Sequence, residues 1–316
     1  MTNDDEILLF AGNGSKILGQ RIADELRIDV SQGDTSVFPD GNLFVKVGAN
    51  VRGRHVYLVQ STVFPSNDNF MELLFWIDAF KRASAESVTV VIPYFSYAKG
   101  DKKDEPRVSI RARVCADAIE SAGADRVVAM DLHAPQIQGF FRIPVDNLYG
   151  MPVLCDQIEE LDLENLVVVS PDAGFARQAR RFGATLSASV AIADKERRGH
   201  DQHPEVLRIM GEVEAKTALI VDDFTLSTGT LVSAAEELMR RGAATVYALV
   251  THGVFAEGSM ERLDDSPIVK LFVTDTVENQ PVTFSEKVDV VSVAPLFAEA
   301  ITRIHHRASI SELFPG

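Results

Sequence analysis

Cysteine, long apolar runs and positive charge are all scarce in this chain. Two cysteines, Cys115 and Cys155, occur in 316 residues, far apart and without C-x-x-C spacing. That excludes a disulfide scaffold and leaves reduced, buried thiols as the expectation. No apolar run approaches the ~20 residues needed to span a bilayer. The start, Met1-Thr-Asn-Asp-Asp-Glu6, lacks the basic and apolar regions of a signal peptide. A cytoplasmic protein with no membrane partner is therefore expected. Lysine and arginine number 31 against 46 aspartates and glutamates, a formal charge of −15. So acidic a surface repels phosphate backbones, and no nucleic-acid partner is expected. A polyanionic small substrate needs a site that gathers its own positive charge. Low-complexity segments and short repeats are also missing.

What is present is ordinary globular sequence, 46% hydrophobic and 24% charged, long enough for two domains of about 150 residues. Short apolar runs alternate with amphipathic stretches. Strands are predicted at 7–10, 55–60, 88–92 and 126–130, with helices at 15–27, 69–83 and 110–122, the last ending at Gly123. The pattern restarts after Tyr149-Gly150. Helices are expected at 151–160, 174–182 and 228–241. Strands are expected at 166–170, 186–192 and 246–250, a strand pair at 206–210 and 218–221, and a polar stretch at 194–204. Apolar strands alternating with helices imply an α/β fold with parallel sheets covered on both faces. The expected division is 1–149 and 150–294.

The most informative segment is Ala218-Leu-Ile-Val-Asp-Asp-Phe-Thr-Leu-Ser-Thr-Gly-Thr230. An apolar strand ends in Asp222 and Asp223, a loop of small hydroxyl residues follows, and then a helix begins. Amides at a helix N-terminus, with the hydroxyls of Thr225, Ser227, Thr228 and Thr230, suit a phosphate, and Gly229 permits close backbone approach. Ionised carboxylates accept only, so the Asp pair suits the hydroxyls of a sugar. A sugar phosphate at the carboxyl end of a parallel strand fits both halves of the pattern. The same residues also suit a plain helix N-cap beside two exposed acids.

This loop is similar to the 5-phosphoribosyl-1-pyrophosphate (PRPP) loop of type I phosphoribosyltransferase folds. The rest of the chain resembles the ribose-phosphate pyrophosphokinase (PRPP synthetase) family almost end to end. The resemblance rests on Leu9-Phe-Ala-Gly-Asn13, Phe38-Pro-Asp-Gly41, Asn50-Val-Arg-Gly53, Val59-Gln-Ser-Thr62, Asn67-Asp-Asn69 with Met71-Glu-Leu73, and Ile92-Pro-Tyr-Phe95. Further along it rests on Asp131-Leu-His-Ala134, Gln136-Ile-Gln-Gly-Phe-Phe141, Pro144-Val-Asp-Asn147, Val169-Ser-Pro-Asp-Ala-Gly174, Asp194-Lys195 and Ser309-Ile-Ser-Glu-Leu-Phe314. Their order and spacing, more than any one of them, carry the likeness.

The resemblance implies two phosphoribosyltransferase-like domains, each a mainly parallel sheet flanked by helices, with the helix at 295–307 and the rest of the chain to 316 packing back on the first. It implies transfer of the β,γ-pyrophosphoryl group of MgATP to the anomeric hydroxyl of ribose 5-phosphate, giving PRPP and AMP. Lys195 and Arg197 match the family's catalytic Lys-x-Arg pair, which would stabilise charge developing on the transferred group. His133 and Asp172 match its Mg²⁺ contacts. Asp222, Asp223 and residues 225–230 (Thr225, Leu226, Ser227, Thr228, Gly229 and Thr230) would hold ribose 5-phosphate. Phe38, Asp40, Gly41 and Asn42, with Lys99, Gly100 and Lys102, would meet ATP. From residue 99 to 113 six lysines and arginines face three acids, a local +3 on an acidic chain, which suits a polyphosphate. A homo-oligomer, a hexamer built from dimers, is implied as well.

Several positions depart from the family pattern. Leu226 stands where an acid is usual, Thr228 where Gly is usual, Lys99-Gly100 where Arg-Gln is usual, Asn42 for a Glu, and Phe175 where a second Gly is common. Lys gives up the bidentate fork of Arg. Three readings follow: an active enzyme with altered nucleotide contacts or regulation, a non-catalytic member that regulates an active homologue, or a transferase acting on another sugar phosphate or nucleotide. Retention of Lys195, Arg197, His133, Asp172 and the Asp pair favours the first.

Overall fold

The computed structural model describes residues 7–196, 206–278 and 283–314. The chain divides into two compact units. One comprises Met1–Tyr149, Thr276–Glu278 and Ser292–Gly316; the other comprises Gly150–Asp275 and Asn279–Val291.

In the first unit, strand β1 (Leu8–Ala11) leads into helix α1 (Lys16–Leu26), then a hairpin of β2 (Gly33–Val37) and β3 (Leu43–Val47). Next come β4 (His55–Val59), α2 (Ser66–Arg82), β5 (Ser87–Ile92), α3 (Arg111–Ala122), β6 (Arg126–Met130) and β7 (Val145–Leu148). Five strands form one parallel sheet in the order β1-β4-β5-β6-β7, and the hairpin stands apart as a two-stranded antiparallel sheet. The helix starting at Ser66 is longer than the apolar periodicity implies, because Ser66, Asn67 and Asp68 supply a polar first turn. α3 stops where the periodicity stops, at Gly123, which takes φ +111°, a conformation that glycine adopts without a Cβ clash. Leu73, Trp76, Ile77 and Phe80 on α2 and Ala112, Cys115, Ala116 and Ile119 on α3 bury one face against alternate strand residues such as Val56, Leu58, Val88 and Val90. Phe10, Trp76 and Phe80 form its aromatic centre, with ring centroids 4.7 to 5.7 Å apart, in the range where aromatic pairs attract.

The second unit runs α4 (Met151–Glu159), β8 (Leu166–Ser170), α5 (Ala176–Thr185), β9 (Ser189–Glu196), β10 (Val206–Met210), β11 (Thr217–Thr225), α6 (Gly229–Arg240), β12 (Thr245–Gly253), α7 (Ser259–Asp264), β13 (Ile268–Thr274) and β14 (Val288–Val291). Its seven strands lie in the order β10-β9-β8-β11-β12-β13-β14. All neighbours are parallel except β10, which is antiparallel to β9. Successive strand residues alternate between two cores. Val167, Val169, Ala218 and Ile220 pack with α6, whereas Val168, Leu219 and Val221 pack with α4 and α5. The central strands are thus covered on both faces, and this explains their unbroken apolar runs.

Three expectations change here. The segments 206–210 and 218–221 are not partners: β10 pairs with β9, and β11 sits between β8 and β12. β9 does not stop at residue 192 but continues through Glu196, because β10 extends its pairing to Glu196↔Val206. β11 runs past Val221 to Thr225, its ladder with β12 reaching Gly253. The last helix, α8 (Ala294–His305), packs on α1 in the first unit, burying Phe297, Ala298, Ala300 and Ile301.

Candidate active site

The carboxyl end of the second unit's sheet collects most of the residues singled out by sequence. Parallel pairing puts the C-terminal ends of β8, β9 and β11 at one edge. Asp172 follows β8, Lys195 lies one residue from the end of β9, and Asp222 and Asp223 lie two to three residues before the end of β11. The backbone of Lys195 is held opposite Leu207 of β10. Arg197 lies outside the described residues.

The Asp pair is locally anchored. The Asp223 amide donates to Asp222 Oδ1 at 2.9 Å, and the Phe224 amide to Asp223 Oδ1 at 2.9 Å. Burial, and then the adjacent Asp223 charge, pushes the Asp222 carboxyl well above the usual carboxylate range, and Asp172 pushes the same way. Crowded, poorly hydrated carboxylates hold a proton until a cation or hydroxyl donors replace it. Asp172 itself is exposed, with Oδ1 accepting from the Phe175 amide at 2.9 Å. Phe175 opens α5 and packs partly against the α4–α5 core.

After Thr225 the chain turns into α6. The loop carbonyls are all turned toward one neighbouring segment. Thr225 O accepts from the Val254 amide (2.9 Å), Leu226 O from the Ala256 amide (2.6 Å) and from Ser259 Oγ (3.0 Å), and Ser227 O from the Arg262 guanidinium. The amides of Gly229 and Thr230 open α6, with no preceding helical turn to receive them. This polarity, carbonyls on one side and helix-start amides free to meet an anion, is that of a phosphate-binding turn. The hydroxyls divide into two sets. Thr225 and Thr228 are buried, with Thr225 Oγ1 accepting from the Thr228 amide at 3.2 Å and Thr228 Oγ1 donating to Ser227 O at 2.6 Å. Ser227, Thr230 and the side chain of Leu226 are exposed.

In the first unit, Phe38, Asp40, Gly41 and Asn42 form the tip of the β2–β3 hairpin. Asp40 accepts from the Asn42 amide (3.1 Å) and from Asn42 Nδ2 (2.7 Å). Those bonds hold its carboxyl below the usual range. Phe38 and Phe44 stand exposed with centroids 5.8 Å apart, an apolar face suited to stacking a base. The hairpin rests on α2, where Thr35 Oγ1 donates to the buried Glu72 at 2.6 Å. Gly33 lies so close to Trp76 that a Cβ there would come within 2.3 Å of the ring. Lys99 ends a short 3-10 turn, and Lys102 is exposed, 3.8 Å from Asp104. Gly100 is buried under Arg111, whose Nε would lie 2.6 Å from an added Cβ. His133 is exposed in the turn after β6, beside Leu132, whose amide donates to Asn147 Oδ1 at 3.0 Å.

The supporting residues Thr35, Glu72, Ser259 and Arg262 were not foreseen as part of the site. Glu72 lies inside the matched Met71-Glu-Leu73, the only sequence sign any of them carries. Among the described residues no group of three or more His, Cys, Asp or Glu forms a metal cage, and no helix is long and apolar enough to cross a membrane.

Comparison with known proteins gives one consistent answer. Residues 7–123 match the profile of the N-terminal domain of ribose phosphate pyrophosphokinase, and residues 198–315 that of the phosphoribosyl synthetase-associated domain. The chain is 47% identical over 311 residues to a ribose-phosphate pyrophosphokinase of Caldanaerobacter subterraneus subsp. tengcongensis, covering 98% of each chain. It is 45% identical to the one of Thermotoga maritima, covering 99% of this chain and 100% of that one. The crystal structure of phosphoribosylpyrophosphate synthetase from Mycobacterium smegmatis superposes with a TM-score of 0.90 at 36% identity, covering 96% of this chain and 100% of that one.

Proposed function

Since the chain belongs to the ribose-phosphate pyrophosphokinase family, we propose that it transfers the β,γ-pyrophosphoryl group of MgATP to the anomeric hydroxyl of ribose 5-phosphate, releasing AMP and PRPP. The observation that carries this reading is the turn after the Asp pair. Its three carbonyls are drawn away by residues 254–262, while the amides of Gly229 and Thr230 are left for the 5-phosphate. Ser227 and Thr230 offer exposed hydroxyls to the same phosphate. Asp222 and Asp223 accept from the ribose hydroxyls. Thr225 and Thr228 hold the turn's shape, and Leu226 presents an apolar side chain beside it.

In the reaction the anomeric oxygen bonds to the β-phosphorus of ATP, the bond from that phosphorus to the α,β-bridging oxygen breaks, and the hydroxyl proton leaves to solvent. Positioning and charge stabilisation supply most of the acceleration. Lys195, near the end of β9, and Arg197 are assigned to the developing charge on the transferred group. The hairpin tip at Phe38, Asp40, Gly41 and Asn42 takes the base side of the nucleotide, and Lys99 and Lys102 its phosphates, with Gly100 providing room for Arg111.

Mg²⁺ favours oxygen ligands, uses few carboxylates and keeps waters. Within the second unit, Asp172, with one oxygen beyond that bound to the Phe175 amide, and the crowded Asp222 would fit such an ion; by the family resemblance His133, in the first unit, is separately assigned as a Mg²⁺ contact. Such an ion would supply positive charge for the phosphoryl oxygens, and these carboxylates would hold it. The protein is assigned to work as a dimer-based homohexamer in the cytoplasm. The exposed Phe64, Met71 and Phe75 and the buried free thiols of Cys115 and Cys155 support those two points.

The test is direct. Purified protein given ribose 5-phosphate and MgATP is expected to release AMP in equal amount to PRPP, followed by ³¹P NMR. Absence of AMP with both substrates present overturns the assignment. In that case, co-purification with an active homologue and a change in its rate identify a regulatory subunit.

A further inference from the structure

Thr228 is the least expected residue of the phosphate turn. It is buried, with 1% of its surface exposed, and its backbone is left-handed at φ +58°. A β-branched side chain is a true outlier in that region, and such residues persist only where surrounding contacts over-determine them.

The contacts that do so come from one place. Thr228 Oγ1 reaches the carbonyl of Ser259 at 3.2 Å as well as that of Ser227. Ser259, also 1% exposed, returns the contact from its own hydroxyl to Leu226 O at 3.0 Å. The two hydroxyls therefore cross-brace the turn against the start of α7, one pulling on each side of Ser227. The brace is completed by the Ala256 amide on Leu226 O and by Arg262 on Ser227 O. Without it, the 226 and 227 carbonyls could rotate toward the anion and oppose it. Neither hydroxyl is exposed to touch a ligand.

We propose that Thr228 and Ser259 are paired positioning residues, a latch between the phosphate turn and the start of α7 that keeps the turn's carbonyls away from the sugar phosphate. This rests on the reading above that the turn holds ribose 5-phosphate. The latch acts on that substrate's binding and not on the nucleotide. It acts as a unit, because both hydroxyls span the same junction between the turn and the start of α7.

The test uses full-length protein carrying Ser259→Ala, Thr228→Val, both together, and Thr228→Ser. Each of the first two is expected to raise KM for ribose 5-phosphate about tenfold, with kcat changed less than about twofold and KM for ATP unchanged. The double variant is expected to remain near tenfold, and not to approach the hundredfold of independent contacts. Thr228→Ser, which restores the hydroxyl, is expected to recover KM to within about twofold. Equal rises in both KM values, a loss confined to kcat, or a multiplicative double variant would overturn the latch. A second readout needs no turnover: ribose 5-phosphate alone is expected to raise the Tm of the parent more than that of Ser259→Ala. If the parent binds the sugar phosphate but releases no AMP, the reaction is wrong and this binding difference still judges the latch. Equal Tm shifts in parent and variant would reject it.

Discussion

Replacing Glu72 with glutamine tests how firmly the β2–β3 hairpin is tied to its unit. The carboxylate is 1% exposed and serves four donors. Oε1 accepts from the Asn13 amide (3.2 Å), Thr35 Oγ1 (2.6 Å) and Trp76 Nε1 (3.3 Å), and Oε2 from the Asn13 amide (3.2 Å) and Gln60 Nε2 (3.0 Å). A carboxamide keeps the shape but turns one acceptor into a donor. With its carbonyl at the Oε1 position it still serves Asn13, Thr35 and Trp76, and its NH2 then opposes the Gln60 amide. One buried donor set against another costs about 1–3 kcal/mol, and loss of charge assistance at the other three contacts adds about 1 kcal/mol more. The expected destabilisation is therefore about 2–4 kcal/mol. Trp76 is the chain's single tryptophan and touches the altered group, so its fluorescence in urea reads this unit alone. With a slope of about 2 kcal/mol per molar urea, the midpoint should fall by about 1–2 M, and KM for ATP should rise as the hairpin loosens. A midpoint moved by less than about 0.3 M would show that neutral hydrogen bonds suffice and refute the reasoning.

Two further outcomes follow from ionisable groups. Burial pushes the Cys115 thiol up to about 11, and burial with the nearby Asp156 and Glu159 charges pushes Cys155 up to about 12. Native protein at pH 8 should thus give no fast reaction with a thiol-specific disulfide reagent and two equivalents after unfolding; one fast native thiol would contradict this. The folded protein holds the Asp222 proton more tightly than the unfolded chain does, so this group's contribution to stability falls as pH rises from the normal carboxyl range through the raised folded value. Asp222→Asn should accordingly be more stable than the parent toward urea at pH 7.5, with the gap closing near pH 4. A pH-independent gap would count against the shift.

Which features were legible follows from how local their causes are. The central strands announced themselves because both faces are buried, making residues 166–169 and 218–221 continuous apolar runs. Gly123 marked the end of α3 because its left-handed backbone is a property of one residue. The Asp pair and its turn read as a phosphate site because the acids, hydroxyls and helix start are contiguous. Long-range causes were not readable. β9 extends to Glu196 only because β10 pairs with it. The hairpin's two strands escaped notice because its anchors, Glu72 and Trp76, lie more than thirty residues beyond the Thr35 and Gly33 they hold, and most of its own residues are exposed. Ser259 and Arg262 brace the turn from about the same separation, with nothing in their own neighbourhood to mark them.

The path of the chain bears on how the protein is made. The first unit is finished with residues translated last: Glu278 caps the Leu18 amide at 2.8 Å, Thr276 O takes the Ser61 hydroxyl at 2.6 Å, and α8 covers α1. Until those residues leave the ribosome, α1 packs on β1, and the side that α8 covers stays open. The portion of the polypeptide that emerges first is thus among the last to be sealed. A gene cut after residue 149 would encode a half with a bare, sticky helix face in place of an autonomous domain.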